Sequence, residues 1–221
     1  MAGFAGFDSS EFLGAAAMAW LKANTNLLWS GYYLGPAPSH ASQSWMGNRA
    51  VLVGAGWGLA PIYVGQQIGG PGRHVVSSTQ GNLDGHDAAG LMKKEGFPAG
   101  SYVYLDLEDG PPFVSPRTDY VKAWADAVTA EGFKAGIYCS HGFAVDAHTL
   151  CPDARIWAYK VETTAVHTFP GTNFPDPHPA GCGYPGAFAW QLGQNCRLNL
   201  AGEIPAMLVD LNSAMTPDPS R

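Results

Sequence analysis

Only four cysteines occur in the 221 residues, at positions 139, 151, 182 and 196, and none form a C-x-x-C pair. The sequence therefore offers no zinc-ribbon or dithiol motif. Their even number permits two disulfides, with Cys139–Cys151 and Cys182–Cys196 closing the shortest loops. Four reduced thiols fit equally well in a reducing compartment, so the redox state stays open. Charge is also scarce, at 14% of residues, with a net charge of −6. No basic stretch of the kind that neutralises phosphates is present, which argues against nucleic acid as a partner. No apolar run approaches the roughly 18 residues that a membrane-spanning helix needs. The opening MAGFAGFDSS lacks a basic region followed by a long apolar stretch, so no signal peptide is read there. No glycine-rich phosphate loop follows the first strand, which argues against a dinucleotide-binding fold. His86, His141, His167 and His178 show no consistent metal-ligand spacing, and neither metal nor cofactor is expected.

Apolar residues and turn formers are abundant. Hydrophobic residues make up 46% of the chain, and the 28 Gly and 17 Pro punctuate recurrent apolar segments rather than a disordered tract. Strand-like runs occur at 4–8, 28–33, 59–64, 102–108, 134–139, 155–159, 187–192 and 207–211. Helical periodicity lies between several of them, over 10–23, about 43–55, 83–95, 117–131 and 141–149. Alternating β and α units imply a parallel sheet with helical crossovers, and eight strands suit a closed (β/α)8 barrel of the TIM type. The whole of 1–221 reads as one such barrel domain. Its last helix is missing, because only about ten residues follow the eighth strand. Residues 160–186, rich in Pro, Gly and His, read as a long loop before strand seven.

The most informative segment is YVYLDLE at 102–108. On a strand, successive side chains alternate faces, so Tyr102, Tyr104, Asp106 and Glu108 share one face while Val103, Leu105 and Leu107 share the other. The apolar face requires a core. A charged pair on the opposite face is costly unless paired or used, and two acids facing a cleft are what glycosidic bond hydrolysis requires. In a barrel of this kind the chemistry lies at the C-terminal ends of the strands. There the sequence places Asp8, Tyr33, Tyr63 with Gln66 beyond it, Asp106 and Glu108, Tyr138, Trp157 and Tyr159, Trp190 and Gln191, and Asp210 with Asn212. Asp8 also precedes Ser9-Ser10 and a helix, where a capping role is as good a reading, and Asp109 is expected to face solvent.

Six pieces in order, GFDSS (6–10), YLDLE (104–108), GIYCS (136–140), IWAYK (156–160), AWQLG (189–193) and VDLN (209–212), resemble the family 25 glycoside hydrolases, which are barrel lysozymes. A closer resemblance is to an actinobacterial-type glycoside hydrolase-like domain, carried by Ala19-Trp20, GYYLG (31–35), GWGLAPIYVGQQ (56–67) and YLDLED (104–109). Strand two departs from the lysozymes: it ends in Tyr33 rather than in an acidic segment. The resemblance implies a glycosidase cleaving β-1,4 bonds in peptidoglycan or a related N-acetylated glycan, acting on the cell wall or outside the cell as a monomer. Glu108 would be the general acid, and Asp106 the charge stabiliser or the group that orients a substrate N-acetyl. Asp8 or Asp210 would be the base or electrostatic partner. Tyr33, Tyr63, Gln66, Tyr138, Trp157, Tyr159, Trp190 and Gln191 would bind sugar. Two other readings compete: a non-catalytic glycan-binding barrel derived from such a hydrolase, and an inert scaffold with a filled rim.

Overall fold

The computed structural model describes residues 2–70, 72, 74–198 and 207–221. Its strands are β1 (Phe4–Asp8), β2 (Trp29–Tyr33), β3 (Gly58–Val64), β4 (Tyr102–Asp106), β5 (Lys134–Ser140), β6 (Arg155–Tyr159), β7 (His167–Phe169), β8 (Ala189–Leu198) and β9 (Met207–Ala214). The helices are α1 (Ala15–Asn24), α2 (Arg49–Gly54), α3 (Ser78–Lys94), α4 (Arg117–Ala130) and α5 (Ala144–Leu150). Strands β1 to β6 pair in sequence order, β6 pairs with β8, and β9 joins β8 back to β1, so eight strands close an α/β barrel. The short β7 lies outside that ring, on the extension of β8.

The expected all-parallel sheet fails at the seam. Strand β9 runs antiparallel to both β1 and β8. Only residues 199–206 separate it from β8, and a parallel return needs a crossover of a dozen residues or more. An antiparallel return is what so short a connection allows, and it takes the place of the helix that would otherwise join the seventh and eighth strands of the ring. Several helix starts differ from those expected: α3 begins at Ser78 rather than 83, and α5 at Ala144 after a 3-10 turn over His141–Phe143. Helix α1 begins at Ala15 rather than near 10, because Gly14 has φ 88°, a left-handed conformation that cannot continue a helix. Helix α2 is confined to Arg49–Gly54, with turns over 43–48. The long loop over 160–186 contains β7 and a 3-10 turn at Pro179–Cys182. All four cysteines are unpaired and buried. Among the described residues no helix is long and apolar enough to cross a membrane.

Period-two alternation sorts the core into two layers. Inside the barrel lie Trp29, Ala60, Ile62, Val64, Tyr104, Trp157, Ala189 and Ala214. Outside it, under the helices, lie Phe7, Tyr32, Tyr63, Val103, Leu105, Leu107 and Trp124, among others. The lumen is filled by pairing large rings with absent side chains: a Cβ on Gly6 would stand 2.2 Å from the Trp29 ring, and one on Gly136 2.3 Å from Tyr104. Such contacts are forbidden at native packing density. The barrel floor is closed by the C-terminal segment. Leu59 N–H donates to Asp218 Oδ1 (3.2 Å), Tyr102 N–H to the Ser220 carbonyl (2.9 Å) and Tyr104 O–H to the Pro219 carbonyl (3.0 Å). With the floor plugged, the barrel interior opens at the opposite rim.

Candidate active site

The rim is built by alternation. Residues two apart on one strand point the same way, so the inward Tyr104 carries Asp106 inward with it, and the outward Val103 and Leu105 take Leu107 outward. The same parity brings Asp8 inward on β1, Tyr33 on β2, Tyr138 on β5, Trp157 and Tyr159 on β6 and Gln191 on β8. Asp210 arrives from the antiparallel β9, where it is paired directly with Asp8. Asp8, Tyr33, Asp106, Glu108, Tyr138, Trp157, Gln191 and Asp210 thus line one inner cavity of about 40 Å³, together with Ile62 and Gln194. A wider cleft of about 430 Å³ opens above it, lined by Ser10, Ser39, His40, Gln67, Gly69, Gly70 and Asp109. Tyr33, Asp106 and Glu108 belong to both.

Three of the residues expected at this rim are elsewhere. Tyr63 lies between the inward Ile62 and Val64 and therefore points outward, where its hydroxyl donates to Asp87 Oδ2 of α3 at 2.9 Å. Trp190 likewise alternates with the inward Ala189 and Gln191; its indole donates to the Lys160 carbonyl (3.0 Å) on the outer side of β8. Gln66 is buried beside the loop after β3: its amide N–H donates to Tyr120 Oη (3.0 Å) and its Oε1 accepts from Val75 N–H (3.2 Å). Its neighbour Gln67, passed over in the sequence, is the one that faces the cleft. Trp157 lines the inner cavity but is fully buried, edge-on to Trp29, Tyr104 and Tyr138, so it forms floor rather than an open stacking platform. Asp109 does not simply face solvent: it accepts the amides of Ile68 and Gly69 and pairs with the buried Arg117 at 3.7 Å.

The carboxylates sit in a hydrogen-bonded frame. Tyr33 O–H donates to Asp8 Oδ1 (2.8 Å), and Asn212 Nδ2 donates to Asp8 Oδ2 (2.7 Å) while its Oδ1 accepts from Trp157 Nε1 (3.0 Å). Asp8 is thus fully engaged inside the barrel and caps no helix. Asp210 accepts from Gln191 Nε2 (2.7 Å) and from the Asn195 amide (2.8 Å), and Gln191 Oε1 in turn accepts from Tyr138 O–H (2.5 Å). Asp106 is different. It is 4% exposed, and its Oδ1 is buried without a partner.

Burial and mutual repulsion raise the acids together. Burial pushes Asp8 up to about 8, with the Asp210 charge adding to it and the Tyr33 and Asn212 hydrogen bonds opposing. Asp106 stands well above the carboxylate range through burial, then through Glu108, Asp8 and Asp210. Asp210 rises to about 6, chiefly by burial. Glu108 stands exposed at the mouth, yet the protein around its carboxyl raises its pKa, with Asp109 second. The result is a set of acids all raised above the ordinary carboxylate range, with the most accessible member beside the open cleft. Such an arrangement can deliver a proton to a bound group and stabilise a developing positive charge.

The chain is similar in fold to solved structures across almost its whole length. An uncharacterised Bacillus stearothermophilus protein superposes with a TM-score of 0.64 at 18% identity, covering 96% of each chain. The Tat-secreted protein Rv2525c of Mycobacterium tuberculosis, solved with L-tartrate, gives a TM-score of 0.66 at 15% identity over 98% of this chain and 97% of its own. A family 25 glycosyl hydrolase from Bacillus anthracis gives 0.59 at 13% identity, over 97% of this chain and 90% of its own. No curated protein matches by sequence. The model of one family does match, over residues 19–184, which is the greater part of the chain. The chain belongs to the Rv2525c-like, glycoside hydrolase-like domain family.

Proposed function

We propose that this protein is a glycosidase that cleaves β-1,4 bonds in peptidoglycan or a related N-acetylated glycan, with Glu108 as general acid. The observation that carries the reading is the convergence of Asp8, Asp106, Glu108 and Asp210 on one rim, where Asp106 and Glu108 line the larger cleft and Glu108 is the exposed one of the pair. The inner cavity of about 40 Å³ has room for little more than a water or two. A sugar would therefore lie in the outer cleft of about 430 Å³, and the scissile oxygen would sit over the residues shared by both spaces, Tyr33, Asp106 and Glu108.

Glu108, held protonated above the usual range, donates to the leaving oxygen. Asp106, close beneath, stabilises the positive charge that develops at the anomeric carbon, or orients a substrate N-acetyl group that attacks it. Asp8 and Asp210 set the proton balance of the pair, and either serves as base toward a water. Ser10, Ser39 and His40, which line the outer cleft, offer polar partners to the sugar, with Tyr138 and Gln191 in the inner cavity beneath. A fold shared with cell-wall glycosidases supports action outside the cell or at the wall.

One observation favours the non-catalytic glycan-binding barrel as a second reading. Tyr33, where the lysozymes carry an acidic segment, is spent on Asp8. Release of soluble muropeptides from purified peptidoglycan, wild type beside Glu108→Gln, separates the two. Release by wild type alone, with mass analysis identifying the new reducing sugar, establishes the hydrolase. Binding without release, across several walls and chitin oligomers, establishes the second reading.

A further inference from the structure

The formal strand β4 ends at Asp106, and β3 ends at Val64, its register partner. Glu108 therefore lies beyond the ladder, where nothing in the β3–β4 pairing obliges its backbone to continue the pleat. On one side Leu107 N–H still donates to the Tyr138 carbonyl of β5 (3.0 Å). On the other, a side chain stands in for the missing strand. Gln67 Nε2 donates to the Asp106 carbonyl (2.8 Å), and Gln67 Oε1 accepts from the Glu108 amide (3.1 Å). That pair of bonds, one given and one received by residues two apart, is what a neighbouring parallel strand would supply. Gln67 is 4% exposed, so water is a poor substitute.

Gln67 is itself held from behind. The preceding amide, Gln66 N–H, donates to Tyr120 Oη, and Tyr120 O–H donates to the buried Asp84 Oδ2 (2.7 Å) of α3. His74 Nδ1 lies 3.0 Å from the Gln67 carbonyl. A Cβ on Gly65 would stand 2.6 Å from Tyr120 Oη, so the chain passes that hydroxyl too closely for any side chain at 65.

We infer that Gln67 is a positioning residue: its amide clamp carries the inward alternation of β4 past the strand end and so fixes the Glu108 carboxyl against the rim. The inference takes its kinetic consequence from the glycosidase reading, but the positioning itself stands on backbone geometry. The groups that face Glu108 are Asp8 of β1, Tyr33 of β2, His40 of the loop after β2, Asp106 and Asp109 of its own segment, Tyr138 of β5, Tyr159 of β6 and Asp210 of β9.

The test uses full-length protein labelled with carboxyl-13C Glu and Asp, and three forms: wild type, Gln67→Ala and Gln67→Glu. Released from the clamp in Gln67→Ala, Glu108 swings toward solvent and its titration falls back to the ordinary glutamate range, while Asp8 and Asp210 titrate as before. Turnover, where wild type shows it, drops at least tenfold in kcat with KM changed less than threefold. The carboxyl introduced by Gln67→Glu can, while protonated, both donate and accept as the amide does. That variant therefore recovers the wild-type Glu108 titration and rate at acid pH and loses them as the new carboxyl ionises. The inference is overturned if Glu108 titrates in Gln67→Ala as in wild type, or if Gln67→Glu tracks Gln67→Ala at every pH. Absence of turnover in wild type itself would count against the glycosidase reading only, because the titration still decides the clamp. Should Gln67→Ala fail to fold, the pH response of Gln67→Glu decides it.

Discussion

Removing one buried carboxyl from the rim should make this protein more stable, and the gain should depend on pH. Asp106 is the cleanest place: none of the described hydrogen bonds uses its carboxyl, and its Oδ1 is buried without a partner. Asp106→Asn therefore breaks no described hydrogen bond, and it removes a carboxyl that the unfolded chain ionises but the folded chain holds protonated among Asp8, Glu108 and Asp210. The neighbouring Asp8, raised from 3.8 to about 8 chiefly by burial, sets the scale of what such a group costs at this rim. A carboxyl whose folded pKa is raised lends full stability below its unfolded pKa and loses it as pH climbs toward the folded value. By pH 7 the unfolded chain has released that proton across roughly three pH units while the folded chain has kept it, and each unit is worth about 1.4 kcal/mol. Wild type should thus lose on the order of 4 kcal/mol between pH 4 and pH 7 from this cluster, with Asp210, raised to about 6, adding to the lower half of the window. Asp106→Asn should flatten the slope and raise stability at pH 7 while gaining little at pH 4. Urea unfolding of both proteins at four pH values measures this, and the difference between them cancels every titrating group outside the rim. Parallel slopes, or a variant less stable than wild type at pH 7, would refute the reasoning.

Other expectations follow from the same geometry. Glu108→Gln should lower glycan release about 10²–10⁴-fold, the span of general acid catalysis, with melting temperature almost unchanged. Because the acid must be protonated and its pKa is raised, activity should be highest in mild acid and fall as pH rises through that value; a rate that climbs steadily with pH would contradict the role. Tyr63→Phe should leave turnover and glycan affinity intact and cost about 1 kcal/mol in unfolding experiments, since its hydroxyl bonds Asp87 outside the barrel. Asp218→Ala should destabilise by about 1–3 kcal/mol, because Oδ1 accepts from Leu59 N–H, Ser220 N–H and Ser220 O–H at the barrel floor.

Much of this was legible in the sequence because it depends on local periodicity. Alternation in YVYLDLE assigned the two faces of β4, and the structure divides them as expected, Tyr104 and Asp106 inward, Val103, Leu105 and Leu107 outward. Strand ends brought Asp8, Glu108, Tyr138, Gln191 and Asp210 to one rim for the same reason. The same rule, applied strictly, also separates Tyr63 from Ile62 and Val64, and Trp190 from Ala189 and Gln191, because adjacent residues on one strand cannot share a face. What no local pattern reveals is contact across long sequence distances. The antiparallel seam that sets Asp210 against Asp8, the cross-loop clamp from Gln67 to Glu108 and the tail beneath the barrel each join segments whose spacing carries no period. Burial is decided at that level too: sequence supplied four carboxyls of ordinary acidity, and only the closed barrel, by excluding water and setting like groups together, raised them all.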